Sequence, residues 1–245
     1  MQDLDLSSKN IIEVNNLYLN LSGREILKDV NFSLPHPSFY CVAGPNGAGK
    51  SVLFRTIAGY YKPDRGRVRI FGKDIHGISP EERASLLAFL PQKSSFFYPF
   101  PVEEVVKMGA YRLKNVDGMK VLKQLGFLHL CGRIYTSLSE GERKIVLVAK
   151  LLAQKTPIIV LDEPASNLDL KNQLKIYGLL SHLVKKGKTV LVSEHNLNLL
   201  PYCQRIIFLK GGKIIVEGRP QEVMRDEIIS HVYDFSASEI MPFSY

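Results

Sequence analysis

Apolar and polar residues alternate along residues 11–19, the two-residue period of a half-buried strand, and again along 25–34 after a turn at Ser22-Gly23. Residues 39–43 are apolar without interruption and run directly into a glycine-rich loop. From 49 to 58 the apolar spacing becomes helical, so this unit reads strand, loop, helix. A further strand is expected at 67–71, closed by Gly72-Lys73-Asp74, then a helix at 80–87 with Ser79 as N-cap and Pro80 in its first turn. A short strand at 88–90 leads to Gln92. Residues 99–111 and 118–125 read as helices of a separate helical insert, and 140–153 as a longer helix. Beyond it come a buried strand at 158–161, a helix at 170–184 and a strand at 189–193. A hairpin of 205–209 with 213–217 turns through Gly211-Gly212. Strands alternating with helices predict an α/β fold with a mainly parallel sheet; the early strands and the late hairpin predict an added antiparallel β layer. No linker or internal repeat divides the chain, so residues 1–245 are expected to form one domain, with the small α-helical insert spanning about 93–153.

Composition changes this picture little. Hydrophobic residues make up 45% and charged residues 23%, an ordinary globular balance. The longest apolar runs are about five residues, such as 86–90, whereas a membrane span needs roughly 20. Nothing at residues 1–10 resembles a secretion signal, and only a short tail is expected after Gly218. Cys41, Cys131 and Cys203 follow no metal-ligand spacing and are expected to be small apolar residues in a reducing compartment. The net charge of +8 admits a nucleic acid, a membrane surface or an acidic partner, and alone decides between none of them.

The chemistry begins at Gly44-Pro45-Asn46-Gly47-Ala48-Gly49-Lys50-Ser51, which matches GxxxxGK[ST] between a strand and a helix. Glycines let the backbone curl so that successive N–H groups point at phosphate oxygens. Lys50 supplies charge to the β- and γ-phosphates, the helix N-terminus adds its dipole, and Ser51 offers a hydroxyl to magnesium. A glycine turn that happens to end in Lys-Ser is disfavoured by the flanking strand and helix. The loop by itself specifies only a nucleoside triphosphate.

A second acidic element narrows the choice. Residues 158–164 read Ile-Ile-Val-Leu-Asp-Glu-Pro, a buried strand ending in two carboxylates. Asp162 is placed to hold magnesium through its water shell, and Glu163 to orient the attacking water and take its proton. Adjacent acids on a loop are usually solvated charge; the apolar strand and the closing proline argue otherwise.

Between these elements Leu138-Ser139-Glu140-Gly141-Glu142 opens a helix and resembles the LSGGQ signature of ATP-binding cassette (ABC) proteins. Gln92 resembles that family's Q-loop glutamine, Ser166-Asn167-Leu168-Asp169 its D-loop, and His195 its switch histidine. The resemblance runs from about residue 11 to 219. It implies an ATPase that is half an active site: two copies face each other head to tail, each Mg-ATP lying between one P-loop and the opposing signature. Residues 44–51 with Val52 would then bind ATP on one side, and Ser139, Gly141, Glu142 and Asp169 on the other. Lys50, Gln92, Glu163 and His195 would be catalytic, and Ser51, Gln92 and Asp162 would serve the Mg2+.

Departures accompany the likeness. Glu140 stands where the signature has glycine, and is expected to point outward or pair with a cation such as Arg143. Val52 replaces a hydroxyl residue, and Leu21 stands where an aromatic commonly stacks on adenine, so aliphatic packing of the base is expected. Residues 79–92, 100–109 and 193–200 resemble importers of iron–siderophore, haem and vitamin B12, with zinc and manganese cassettes sharing part of the pattern. The resemblance implies membrane permease subunits, indirectly a solute-binding protein, and a place at the cytoplasmic face of the cell membrane, with no nucleic acid. Phe96, Phe97, Tyr98 and Phe100 read either as core of the insert or as a partner surface. DNA-maintenance ATPases of similar motif order separate P-loop and signature by a coiled coil, which is not seen here, and ribosome-acting relatives carry two cassettes.

Overall fold

The computed structural model describes residues 10–94, 98–113 and 116–234, and places the strands in two sheets. β1 (Asn10–Leu21), β2 (Arg24–Pro35), β4 (Arg65–Ile70) and β5 (Lys73–Asp74) form an antiparallel sheet of order β2-β1-β4-β5. β3 (Phe39–Ala43), β6 (Leu87–Leu90), β7 (Ile158–Asp162), β8 (Thr189–Glu194), β9 (Arg205–Lys210) and β10 (Lys213–Gly218) form the second, of order β10-β9-β3-β8-β7-β6. Within it β9, β3, β8, β7 and β6 run parallel and only β10 is antiparallel.

The two faces of β3 show why its sequence is continuously apolar. Phe39, Cys41 and Ala43 face a core shared with the helices, while Tyr40 and Val42 face a second core under the antiparallel sheet. Every residue of β3, β7 and β8 is buried, as expected for parallel strands covered on both sides. Helix α1 (Lys50–Ile57) follows β3, and α2 (Pro80–Leu86) starts where Ser79 Oγ accepts from Glu82 N at 3.1 Å. Helices α3 (Val102–Gly109), α4 (Gly118–Gln124) and α5 (Glu140–Leu152) lie between β6 and β7, and α6 (Leu170–Lys185) between β7 and β8. Among the described residues no helix is long and apolar enough to cross a membrane.

Three elements differ from expectation. The hairpin β9–β10 joins the parallel sheet through β9 and β3, so the antiparallel layer is made by the early strands alone. The helix expected over 99–111 is confined to Val102–Gly109, because Pro101 holds an extended backbone at its N-cap. After Gly218 the chain forms α7 (Pro220–Val223) and α8 (Asp226–Tyr233), where a tail was expected. Ile229 and Val232 of α8 are buried, and the Tyr233 ring meets Phe208 of β9 edge-on at 6.4 Å.

Candidate functional site: a phosphate cradle facing an acidic strand end

The loop between β3 and α1 is shaped by its glycines. Gly44 packs so closely on β9 that an added Cβ would lie 1.9 Å from the Leu209 carbonyl oxygen. Gly49 caps α1 at φ +104° and brings no side chain to its first-turn amides, which stay available to an anion. Lys50 is buried, its ammonium donating to the carbonyls of Gly44 at 2.5 Å and Pro45 at 3.0 Å. Burial pulls its pKa below the lysine range, with Glu163 and then Asp162 opposing the shift. A cavity of about 470 Å³ is lined by Asn46, Gly47, Ala48, Gly49, Lys50, Ser51, Val52, Gln92, Glu163 and Ile26. Ile26 supplies an aliphatic wall; Leu21 instead packs against the core of the antiparallel layer.

The acidic end of β7 closes the cavity. Glu163 adopts a left-handed backbone, φ +50°, uncommon for a residue with a Cβ, and its amide donates to Ser193 Oγ at 3.0 Å. Its carboxylate is held on both oxygens: Gln92 Nε2 donates to Oε2 at 2.7 Å, and His195 Nδ1 lies 3.5 Å from Oε1. Asp162 is 1% exposed; Ser193 Oγ donates to its Oδ1, while its Oδ2 is buried with no hydrogen-bond partner among the described residues. An anionic oxygen in that state is suited to a cation.

The signature residues lie outside this cavity. Ser139 caps α5 in a reciprocal box: its Oγ accepts from Glu142 N at 3.3 Å, and Glu142 Oε2 accepts from Ser139 N at 2.9 Å. Glu142 also pairs with Arg133, and these donors, the Ser139 amide first, lower its pKa. A Cβ at Gly141 would come within 3.0 Å of the Asn167 carbonyl oxygen, so signature and D-loop are in near contact. Glu140 is exposed, as expected, but its partner is Asn167 Nδ2 at 2.8 Å. Arg143 turns the other way, donating to Thr136 O with its guanidinium 5.9 Å from the centre of the Tyr135 ring. Asp169 caps α6, accepting from Asn172 N at 2.8 Å.

Several residues in this region escaped the motif reading. Ser193 and Glu194 immediately precede His195, yet only their contacts reveal a role. Lys144 is buried on α5 with Nζ donating to the Gln92 carbonyl at 3.2 Å, and burial lowers its pKa. A lysine on the apolar side of a helix was the available signal for it.

A strand–loop–helix cradle beside a buried acidic strand end defines a P-loop nucleotide-binding protein. The ABC transporter family pattern matches residues 27–166, and the chain belongs to that family of ATPases. It is 35% identical over 235 residues to the hemin import ATP-binding protein HmuV of Escherichia coli O157:H7, covering 91% of this chain and 92% of that one. It is 32% identical over 233 residues to the cobalamin import ATP-binding protein BtuD of Halobacterium salinarum, covering 91% of this chain and 58% of that one. The crystal structure of a nucleotide-free ATP-binding cassette from an ABC transporter superposes with a TM-score of 0.77 at 27% identity, covering 91% of this chain and 94% of that one.

Proposed function

We propose that this chain is a single cassette, residues 1–245 with a helical insert over about 93–153, that hydrolyses ATP as a head-to-tail homodimer around two Mg-ATP. It powers import of a metal complex of the iron–siderophore, haem or cobalamin type through separate permease subunits, supplied by a solute-binding protein. Its place is then the cytoplasmic face of the membrane. The observation that supports this best is the division of the site: Glu163 is held at the P-loop cavity, while Ser139 and Gly141 lie outside it. A second copy would supply them.

Lys50 would exchange the Gly44 and Pro45 carbonyls for β- and γ-phosphate oxygens, joined by the amides of the loop and the first turn of α1. The donor set fits magnesium: Ser51 Oγ, the Gln92 amide oxygen and, through water, the orphaned Asp162 oxygen. Bound there, the ion would neutralise phosphate charge. Glu163 would orient the attacking water and accept its proton, and His195 would hold both carboxylate and γ-phosphate. On the insert, Val102, Val105 and Val106 are fully buried core, whereas Tyr98 is 67% and Phe100 39% exposed. Those two rings support a permease-docking surface; Phe96 and Phe97 lie outside the described residues. The solute class rests on the likeness to the hemin and cobalamin import proteins.

The test is reconstitution with candidate permeases in vesicles, following ATP-dependent uptake of labelled haem, ferric siderophore and cobalamin. Uptake of one of these supports the reading. ATPase activity stimulated by DNA or ribosomes, with no uptake, sinks it.

A further inference from the structure

Glu194 is a buried carboxylate that the mechanism above does not use. It is 2% exposed at the end of β8 and pairs in register with Ala43, the residue before the phosphate cradle. Removing a carboxylate from water is costly unless its oxygens are satisfied, and an apolar residue would pack there at less cost. Here three donors satisfy it. Glu194 Oε1 accepts from the amides of His195 at 3.0 Å and Asn196 at 3.1 Å, and Oε2 accepts from the Tyr177 hydroxyl at 2.6 Å.

Tyr177 cannot swing away. It is fully buried on α6, stacked on Phe39 at 6.1 Å and edge-on to Tyr202 at 5.9 Å. Burial pushes its phenol well above the usual tyrosine range, keeping it a donor. The imidazole of His195, by contrast, is 52% exposed; its Nδ1 lies 3.5 Å from Glu163 Oε1 and 3.8 Å from Glu194 Oε1, so side-chain packing alone does not aim it. Its direction depends on the backbone from which it projects, and Glu194 grips that backbone at two consecutive amides.

We propose that Glu194 and Tyr177 are positioning residues that fix the loop presenting His195 to Glu163 and the γ-phosphate. This rests on the ATPase site proposed above. The pair also ties the loop to α6, the helix that Asp169 of the D-loop begins. The phenol is thus one link between the D-loop and His195, beside the hydrogen bond of Ser166 Oγ to the Glu163 carbonyl at 3.0 Å. Positional tolerance in catalysis is tight enough that a shift of about 1 Å costs up to 100-fold.

The experiment compares steady-state ATP hydrolysis by the full chain with that of Tyr177→Phe, Glu194→Gln and His195→Ala, and of each substitution combined with His195→Ala. Tyr177→Phe keeps the ring and removes only the donor, so it tests the idea even if Glu194→Gln fails to fold. The expected result is a fall in kcat of roughly 3- to 30-fold with KM for ATP nearly unchanged, and a Tm lowered by a few degrees by the orphaned carboxylate oxygen while the chain stays folded at the assay temperature. In the His195→Ala background the same substitution is expected to have no further effect. A Tyr177→Phe that leaves kcat intact, or lowers it equally with and without His195, overturns the positioning role and leaves the ATPase reading standing. A His195→Ala that turns over at the wild-type rate overturns both.

Discussion

Gln92 Nε2 donates to Glu163 Oε2 at 2.7 Å, so a residue beyond the end of β6 holds the carboxylate that follows β7. The two strands are hydrogen-bonded neighbours, but Gln92 stands on the loop that leads into the helical insert. Movement of that loop changes the hold on the proposed base. Gln92→Ala is expected to lower ATP turnover roughly tenfold or more while nucleotide still binds, as a lost positioning contact does. Parallel measurement of kcat and nucleotide affinity checks it.

Glu163→Gln keeps the shape and the contact surface but removes the base. Turnover should fall by about 10²- to 10⁴-fold, the usual weight of general-base catalysis. ATP binding should persist, and the dimer should accumulate on size exclusion with Mg-ATP. Wild-type hydrolysis by this variant would show that the proton goes elsewhere.

Lys50→Ala removes a buried ammonium whose present partners are two loop carbonyls. The loss should fall on affinity: hydrogen bonds to charged groups are worth about 1.5–3 kcal/mol, or roughly 10- to 160-fold in Kd. Titration with a fluorescent ATP analogue reads this directly.

Tyr98→Ser with Phe100→Ser alters two exposed rings that lie 6.2 Å apart. The isolated chain should keep its Tm within about 2 °C, as surface changes do. Stimulation of ATPase activity by the cognate permease should drop sharply. Unchanged stimulation would place the docking surface elsewhere.

Burial raises the pKa of the Tyr233 phenol to about 12. The folded protein therefore holds this proton to higher pH than the unfolded chain, whose tyrosines titrate near 10. The resulting stability is complete below about pH 10 and is lost as pH climbs through the folded value. Tyr233→Phe should flatten that alkaline decline, measurable by urea unfolding at pH 9 to 12.

The cradle and the acidic strand were legible because their chemistry is written locally: glycine spacing dictates a backbone shape, and a run of branched apolar residues dictates a buried strand. Strand partners were less legible. The β9–β10 hairpin reads the same in either sheet, and only the packing of Ile206 and Phe208 beside β3 decides. Glu140 was expected to point outward or pair with a nearby cation such as Arg143, yet Asn167 from a distant loop claimed it. The burial of Glu194 and Lys144 was not legible, since the Tyr177 hydroxyl and the Gln92 carbonyl that help make it tolerable come from other elements. The helix α8 carried an apolar pattern at 228, 229, 232 and 233, but eight residues give a period too little length to stand out.

Ser193 Oγ donates to Asp162 Oδ1 and accepts from Glu163 N, using both sides of one hydroxyl. Neither alanine nor valine can do either, and the bonds cross from β8 to the end of β7. This rivet adds a side-chain tie to the backbone ladder that already holds the acidic strand and the histidine strand in register. The proposed base and the histidine thus stand on two strands tied as one anvil, and the loop bearing Gln92, which is outside that tie, is the part whose movement changes the hold on Glu163.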